Sequence, residues 1–255
     1  MLLLLRIKIK DLVANKPNTN TIRTHRLQLM IPINDENHTP TTPIVVYALI
    51  VINVVVFLHQ MTLGAGIDGF YQLYAVIPRQ LSGSFQGVAA NQPVPELLTL
   101  ITSQFLHGDL MHIGGNMLFL WTFGDNIEHD LGHIQFLLFY LLCGILAGLT
   151  HWFFAMQSGV PTVGASGAIA GVMGAYIIKY PKAKIVTLLP FFIIWTTVRI
   201  PAVYFLGFWF VQQAISSVTS LGMPESAGIA YWAHAGGFIF GAVLGPMFGL
   251  MDDRR

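Results

Sequence analysis

Ser166 and His234 are the residues of this sequence whose types and surroundings best suit nucleophilic catalysis. Ser166 stands between glycines, in Gly164-Ala165-Ser166-Gly167, where an apolar segment begins. The N-terminus of a helix has free backbone N–H groups that can hold an oxyanion, and flanking glycines let a substrate approach closely. The alternative is a purely structural serine that bonds the carbonyl one turn earlier.

His234 lies three residues into the last apolar segment, where a neutral imidazole could serve as a general base. A histidine without a catalytic role is also common at a membrane interface. Two runs of small residues favour the catalytic interpretation, since such faces let helices pack almost backbone to backbone. The runs are Gly164, Gly167, Gly171 and Gly174 in one segment, and Gly237, Gly241 and Gly245 in the other. This packing predicts that Ser166 and His234 come within hydrogen-bond distance.

A third group of polar residues comprises His107, His112 and Asn116. His112 and Asn116 are four positions apart, so they share one face at the start of a helix and could donate hydrogen bonds to an oxyanion. Zinc is the competing interpretation, but the sequence lacks a His-Glu-x-x-His pair and a carboxylate at ligand spacing. We therefore predict no metal. Since no acidic residue falls in the middle of an apolar segment, a Ser/His dyad is predicted rather than a triad.

The composition indicates the kind of scaffold that must position these residues. Hydrophobic residues make up 54% of the 255 residues and charged residues only 10%, with a mean hydropathy of +0.64. A soluble domain carries about 25% charged residues. The formal net charge of +1 excludes a nucleic-acid-binding protein, because no broad basic field is present. A polytopic helical protein embedded in a lipid bilayer is predicted.

The hydropathy pattern predicts an all-α bundle of six transmembrane helices. The predicted spans are 44–63, 111–128, 134–154, 164–178, 201–218 and 231–250. Residues 185–198 are also apolar, but 14 helical residues rise about 21 Å, short of the roughly 30 Å of hydrocarbon. Pro190 interrupts them as well. We predict that this stretch lies along the cytoplasmic surface or re-enters it.

Basic residues predict the orientation, since Lys and Arg near span ends favour the cytoplasm. They precede the first span, follow the fourth and follow the last, so both termini are predicted to be cytoplasmic. The predicted domains are a tail over 1–43, of which 1–29 are expected to be dispensable, a membrane domain over 44–250, and a tail over 251–255. The compact chain predicts a prokaryotic inner-membrane protein. No oligomeric state is predicted.

Together these motifs resemble the rhomboid family of intramembrane serine proteases, of the bacterial type. The resemblance covers about 30–250 and includes the stretch Phe-Gly-Asp-Asn-Ile-Glu that ends at Glu128. It implies that Ser166 is the nucleophile, that His234 is the general base, and that His112 and Asn116 form the oxyanion hole with the Ser166 N–H. It also implies cleavage of transmembrane segments of other proteins near the extracytoplasmic face, without a cofactor.

The resemblance further implies that the fifth span is a lateral gate and that 219–229 form a mobile cap. One departure is Ala170, one turn after Ser166, where many relatives carry an aromatic residue against the catalytic imidazole. The sequence does not identify what replaces that ring. A catalytically silent scaffold or quality-control factor is the second hypothesis, although such relatives lose the serine or the histidine. A transporter or channel is the third.

Overall fold

The computed structural model describes residues 30–88, 93–191, 194–221 and 230–252. The tail over 1–29, the basic residues within it, most of the expected cap (222–229) and the final residues 253–255 lie outside the described residues. The described part is mostly helical. Six helices of 14 residues or more within it coincide closely with the six predicted spans.

These six helices are α1 (Ile44–Thr62), α5 (Leu110–Leu131), α6 (His133–Phe154), α7 (Ser166–Lys179), α8 (Ala202–Ser220) and α9 (Tyr231–Met247). Short helices α2 (Ile67–Tyr74), α3 (Pro78–Phe85) and α4 (Glu96–Thr102) fill the connection between α1 and α5. By length and apolar composition, α1 and α6 could cross a membrane, and α7 is apolar but has only 14 residues. Length and composition alone therefore support two crossings among the described residues rather than the predicted six.

The prediction of an all-α fold is wrong in one region, because the chain also forms a three-stranded antiparallel sheet. Its strands are β1 (Ile31–Asp35), β2 (Lys184–Phe191) and β3 (Ile194–Pro201), in the order β1-β2-β3. The stretch 185–198 is thus a hairpin rather than a helix. Its β-branched residues favour strands, and Ile185 and Thr187 are both buried, as expected of alternate positions on one face.

The sheet closes the end of the bundle opposite Ser166. The Tyr176 hydroxyl of α7 donates a hydrogen bond to the Asp35 carboxylate of β1, and the Asn126 amide of α5 donates to the same carboxylate oxygen at 3.0 Å. Burial raises the pKa of Asp35 to about 6, so these donors stabilise a carboxylate that is costly to ionise. Strand β1 is thereby fixed to both α5 and α7.

Glu128 holds the start of α1 against the end of α5. Its Oε1 accepts a hydrogen bond from the Val45 N–H and its Oε2 one from the Val46 N–H, each at 2.8 Å. His133 Nδ1 lies 2.5 Å from Oε1. A carboxylate is favoured at a helix N-terminus, where backbone N–H groups lack partners within the helix. The buried Glu128 therefore acts as a cap supplied by another helix.

Helices α7 and α9 run parallel and touch through their backbones. A Cβ at Gly237 would lie 2.1 Å from the carbonyl oxygen of Gly167, and one at Gly241 would lie 1.8 Å from that of Gly171. Only glycine fits at such distances. Because the helices are parallel and begin at the same end of the bundle, the close packing brings Ser166 and the first turn of α9 together.

Candidate active site

Ser166 and His234 form a direct contact between α7 and α9. Ser166 is the first residue of α7, and His234 lies in the first turn of α9. The Ser166 Oγ is 2.8 Å from His234 Nε2. An unprotonated Nε2 accepts the hydroxyl hydrogen at this distance, which is the arrangement of a nucleophile and its general base.

Gln213 is a third member of this group that the sequence analysis missed. It lies on α8, is buried, and its Oε1 is 2.8 Å from His234 Nδ1. No acidic residue falls in the middle of an apolar segment, and the partner of His234 is a neutral amide instead. The available signal was a polar side chain within an apolar segment, which is costly in a membrane and is often functional.

Aromatic rings around His234 come from α8 and α9. The ring centroid of Trp209 is 5.9 Å from that of His234 with the planes inclined by 35°, and Tyr231 meets the imidazole edge-on at 6.5 Å. Ala170 of α7 is fully buried and supplies no ring. The resemblance implies an aromatic contact to His234 from the helix that carries Ser166, whereas here the ring comes from α8.

His112 presents a hydrogen-bond donor to the loop before Ser166. Its Nδ1 lies 3.4 Å from the Gly108 backbone nitrogen, whose N–H donates to it. In a neutral imidazole the other nitrogen, Nε2, then carries the hydrogen. Nε2 is so close to Gly164 that a Cβ there would lie 2.6 Å from it. The Asp109 carboxylate accepts a hydrogen bond from the His112 backbone N–H at 2.9 Å and caps α5.

Asn116 approaches the same loop from the next turn of α5. Its Nδ2 is 2.9 Å from Nε2 of His107, and a Cβ at Gly164 would lie 3.5 Å from Nδ2. Burial lowers the pKa of His107 to about 4, so its imidazole is neutral at neutral pH and accepts one hydrogen of the amide. The second hydrogen of Nδ2 remains for another acceptor.

Gly164 makes room for both donors. Its φ of +122° is a backbone conformation that side-chain-bearing residues rarely adopt, and its open side faces His112 Nε2 and Asn116 Nδ2. Its N–H donates to the Ser103 carbonyl at 2.9 Å, which fixes the loop. The structure thus brings His112 and Asn116 together beside this loop, two residues before Ser166.

The loop that carries His107 is fastened to α1. The Gln60 side chain pairs with the His107 backbone in both directions, accepting from its N–H at 3.0 Å and donating to its carbonyl at 2.9 Å. The Tyr71 hydroxyl donates to the same carbonyl at 3.1 Å. Helices α1 and α2 therefore set the position of the residue that holds Asn116.

The described residues include no group of three or more His, Cys, Asp or Glu side chains that could hold a metal ion. Cys143 is buried in α6 and lies beside Gly171. The chemistry that the arrangement offers is nucleophilic attack by Ser166 with proton transfer to His234, and hydrogen-bond donors beside the nucleophile for a developing oxyanion.

Comparison with known proteins gives a match over the same region. Residues 94–250 match the family model of the Rhomboid domain. The chain is 29% identical over 206 residues to Rhomboid protein 1, mitochondrial, of Saccharomyces cerevisiae, covering 78% of this chain and 52% of the relative.

Two vertebrate relatives are similar over shorter stretches. Identity is 38% over 96 residues to Presenilin-associated rhomboid-like protein A, mitochondrial, of Danio rerio, covering 36% of this chain and 25% of the relative. Identity is 29% over 150 residues to Presenilin-associated rhomboid-like protein, mitochondrial, of Homo sapiens. That alignment covers 56% of this chain and 35% of the relative. The chain thus spans between a quarter and about half of the length of these relatives.

These relatives correct the predicted location. The prediction of a bacterial inner membrane with cytoplasmic termini, and of a bacterial type of protein, is wrong, since these relatives are mitochondrial proteins. The physical reason is that basic residues beside a span distinguish the two sides of a membrane, whereas nothing in hydropathy or charge identifies which membrane it is.

Proposed function

The chain belongs to the rhomboid family, and from this premise we propose that it is a serine endopeptidase that cleaves transmembrane segments of other membrane proteins. The observation that supports the proposal most is the 2.8 Å contact between Ser166 Oγ and His234 Nε2. It occurs beside a glycine loop that faces two side-chain donors, His112 and Asn116. No cofactor is required for this chemistry.

The proposed reaction is acyl transfer through a covalent intermediate. Ser166 Oγ attacks the scissile carbonyl carbon while its proton passes to His234 Nε2. The carbonyl oxygen becomes an oxyanion that accepts hydrogen bonds from His112 Nε2–H, Asn116 Nδ2–H and the Ser166 N–H. Collapse of this intermediate breaks the peptide C–N bond, and His234 gives its proton to the leaving amine. Water then hydrolyses the acyl-enzyme with His234 again as base.

We propose that α1 and α5 through α9 each cross the bilayer once, and that the β2–β3 hairpin lies at the face opposite Ser166. The parallel packing of α7 and α9 supports this, since two parallel helices need one crossing between them and α8 supplies it. With 14 residues, α7 rises only about 21 Å. Ser166 at its start therefore lies below the membrane surface, in a recess that water must reach.

Cysteine accessibility tests this topology. Thr196 is exposed on β3, and Val160 is exposed in the loop before α7. In sealed vesicles of one orientation, Thr196→Cys and Val160→Cys should react with a membrane-impermeant thiol reagent from opposite sides. The native Cys143 is fully buried, so the unmodified protein gives the background. Labelling of both variants from the same side would contradict the six-crossing arrangement.

The mitochondrial names of the relatives lead us to propose a mitochondrial membrane as the site of action. The substrates that we propose are transmembrane proteins of that membrane. A substrate helix must unwind locally before its backbone can meet Ser166, so segments with helix-weakening residues should be preferred.

The proposed function is tested by reconstituting the protein with two model substrates that differ only in one transmembrane segment. One segment carries Gly and Pro near the end on the Ser166 side, and the matched control is continuous Leu and Ala. Mass spectrometry should find fragments cut near that end in the first substrate and far fewer in the second. Binding of the first substrate without any fragment would contradict the proposal and favour the silent scaffold.

A further inference from the structure

We propose that Gln213 is the positioning residue of His234, so that α8 carries part of the catalytic apparatus and the base is complete only while α8 is seated on α9. This inference rests on the proposed protease function. It assigns a task to a side chain that is neither an acid nor part of the motifs that carry the family resemblance. The observation behind it is the 2.8 Å distance from Gln213 Oε1 to His234 Nδ1.

The contact fixes the tautomer that the reaction needs. A neutral imidazole carries its hydrogen on one nitrogen, and His234 must leave Nε2 unprotonated to accept from Ser166. A carbonyl oxygen can only accept, so Gln213 Oε1 stabilises the form with the hydrogen on Nδ1. The same acceptor also stabilises the imidazolium that forms after proton transfer, although less than a carboxylate would.

Trp209 supports the same ring from one turn earlier on α8. Residues four apart share a helix face, so the Trp209 ring and the Gln213 amide reach His234 together. Trp209 also lies 6.1 Å from the ring of Phe238, and Phe210 stacks on Phe238 at 4.8 Å. This aromatic contact seats α8 against α9.

The Gln213 acceptor and the Trp209 ring therefore both reach His234 from α8, whereas Ser166 lies on α7. In α7 the position one turn after Ser166 is Ala170, which leaves that helix without a ring to orient His234. Displacement of α8 from α9 would remove the Gln213 acceptor and the Trp209 ring in one step and leave only the Tyr231 ring of α9 beside the imidazole.

Substitution of Gln213 tests the inference with a matched control on the neighbouring residue. Gln213→Leu removes the acceptor at similar size, Gln213→Glu keeps an acceptor at the same reach, and Gln212→Leu is the control. At metal sites, loss of the group that orients a ligating histidine typically costs about 10- to 100-fold in affinity or activity, and we take the same range for Gln213. We expect Gln213→Leu to lower kcat by that factor with KM little changed, Gln213→Glu to retain most of the turnover, and Gln212→Leu to match the wild type.

A second readout separates positioning from substrate access. A small fluorophosphonate reacts with an activated serine without displacing any helix, so its labelling rate reports on the base alone. Gln213→Leu should slow this labelling by the same factor as it slows cleavage. An unchanged labelling rate in Gln213→Leu, whether or not cleavage falls, would overturn the inference.

Two further measurements distinguish a failure of the Gln213 inference from a failure of the proposed function and from unfolding of a variant. A wild type that neither cleaves nor labels would overturn the proposed function itself, whereas a wild type that does both while Gln213→Leu equals it overturns only the inference. Thermal unfolding checks each variant. Gln213→Met, which also lacks the amide acceptor and is unbranched, replaces Gln213→Leu if the latter unfolds, and the same loss is expected of it.

Discussion

Replacing Ser166 by alanine is expected to lower turnover of a transmembrane substrate by a factor on the order of 10⁶, the size of loss seen when a serine protease loses its nucleophile. The substitution removes only one oxygen at the start of α7. Insertion and thermal unfolding of the protein should therefore be preserved. The measurement is the rate of fragment formation in proteoliposomes.

His234→Ala should be about as severe as Ser166→Ala, and the double variant should be no worse than either. Residues that act as a unit lose their joint contribution when one of them is removed. Ser82→Ala is the matched control, since Ser82 lies on α3 and bonds Trp152 rather than His234. Independent, multiplying losses in the double variant would show that the two residues do not share one proton transfer.

Replacing Asn116 by alanine is expected to lower kcat by about 100- to 1000-fold, or roughly 2.7–4 kcal/mol, the typical cost of one oxyanion donor. The effect should fall on kcat more than on KM, because the oxyanion exists only during the reaction. The amide is already aimed, since it lies beside Gly164 and is held by the neutral His107.

The control for Asn116→Ala is Asn53→Ala. Asn53 is another buried asparagine, and its amide donates to the Leu49 carbonyl within α1. It should change stability without a comparable change in kcat. If Asn116→Ala raised KM and left kcat intact, Asn116 would bind the substrate rather than the oxyanion.

Local features of the sequence predicted the helices and the packing of the two central ones. In lipid, a single apolar segment satisfies its backbone hydrogen bonds internally only by forming a helix. The predicted spans and the helices therefore agree within a few residues. The glycine spacing likewise predicted the close packing of α7 on α9, because small residues four apart leave one face of a helix open.

The pairing of β1 with β2 could not be predicted, because it joins distant parts of the chain. Ile31 of β1 pairs with Leu188 of β2, and nothing within either segment identifies the other. Hydropathy also excluded 185–198 as a span without choosing between an interfacial helix and a hairpin. The β-branched residues of 185–198 are the local feature that favours strands.

Gln213 was missed for a related reason. A glutamine in an apolar helix has no fixed meaning until tertiary packing decides what it faces, and here α8 turns it toward His234. The role of Trp209 in place of a ring at Ala170 depends on the same packing. The sequence predicted Ser166 and His234 as a pair, and the structure places them in contact, but the third side chain follows only from how α8 lies on α9.

Labelling by a serine-directed fluorophosphonate tests the central claim most directly. The purified wild type should take up one label per chain, and peptide mapping should locate it on Ser166. Ser166→Ala should take up none, and His234→Ala should label far more slowly. Equal labelling of the wild type and Ser166→Ala, or no labelling of a folded wild type, would contradict the assignment of Ser166 as an activated nucleophile.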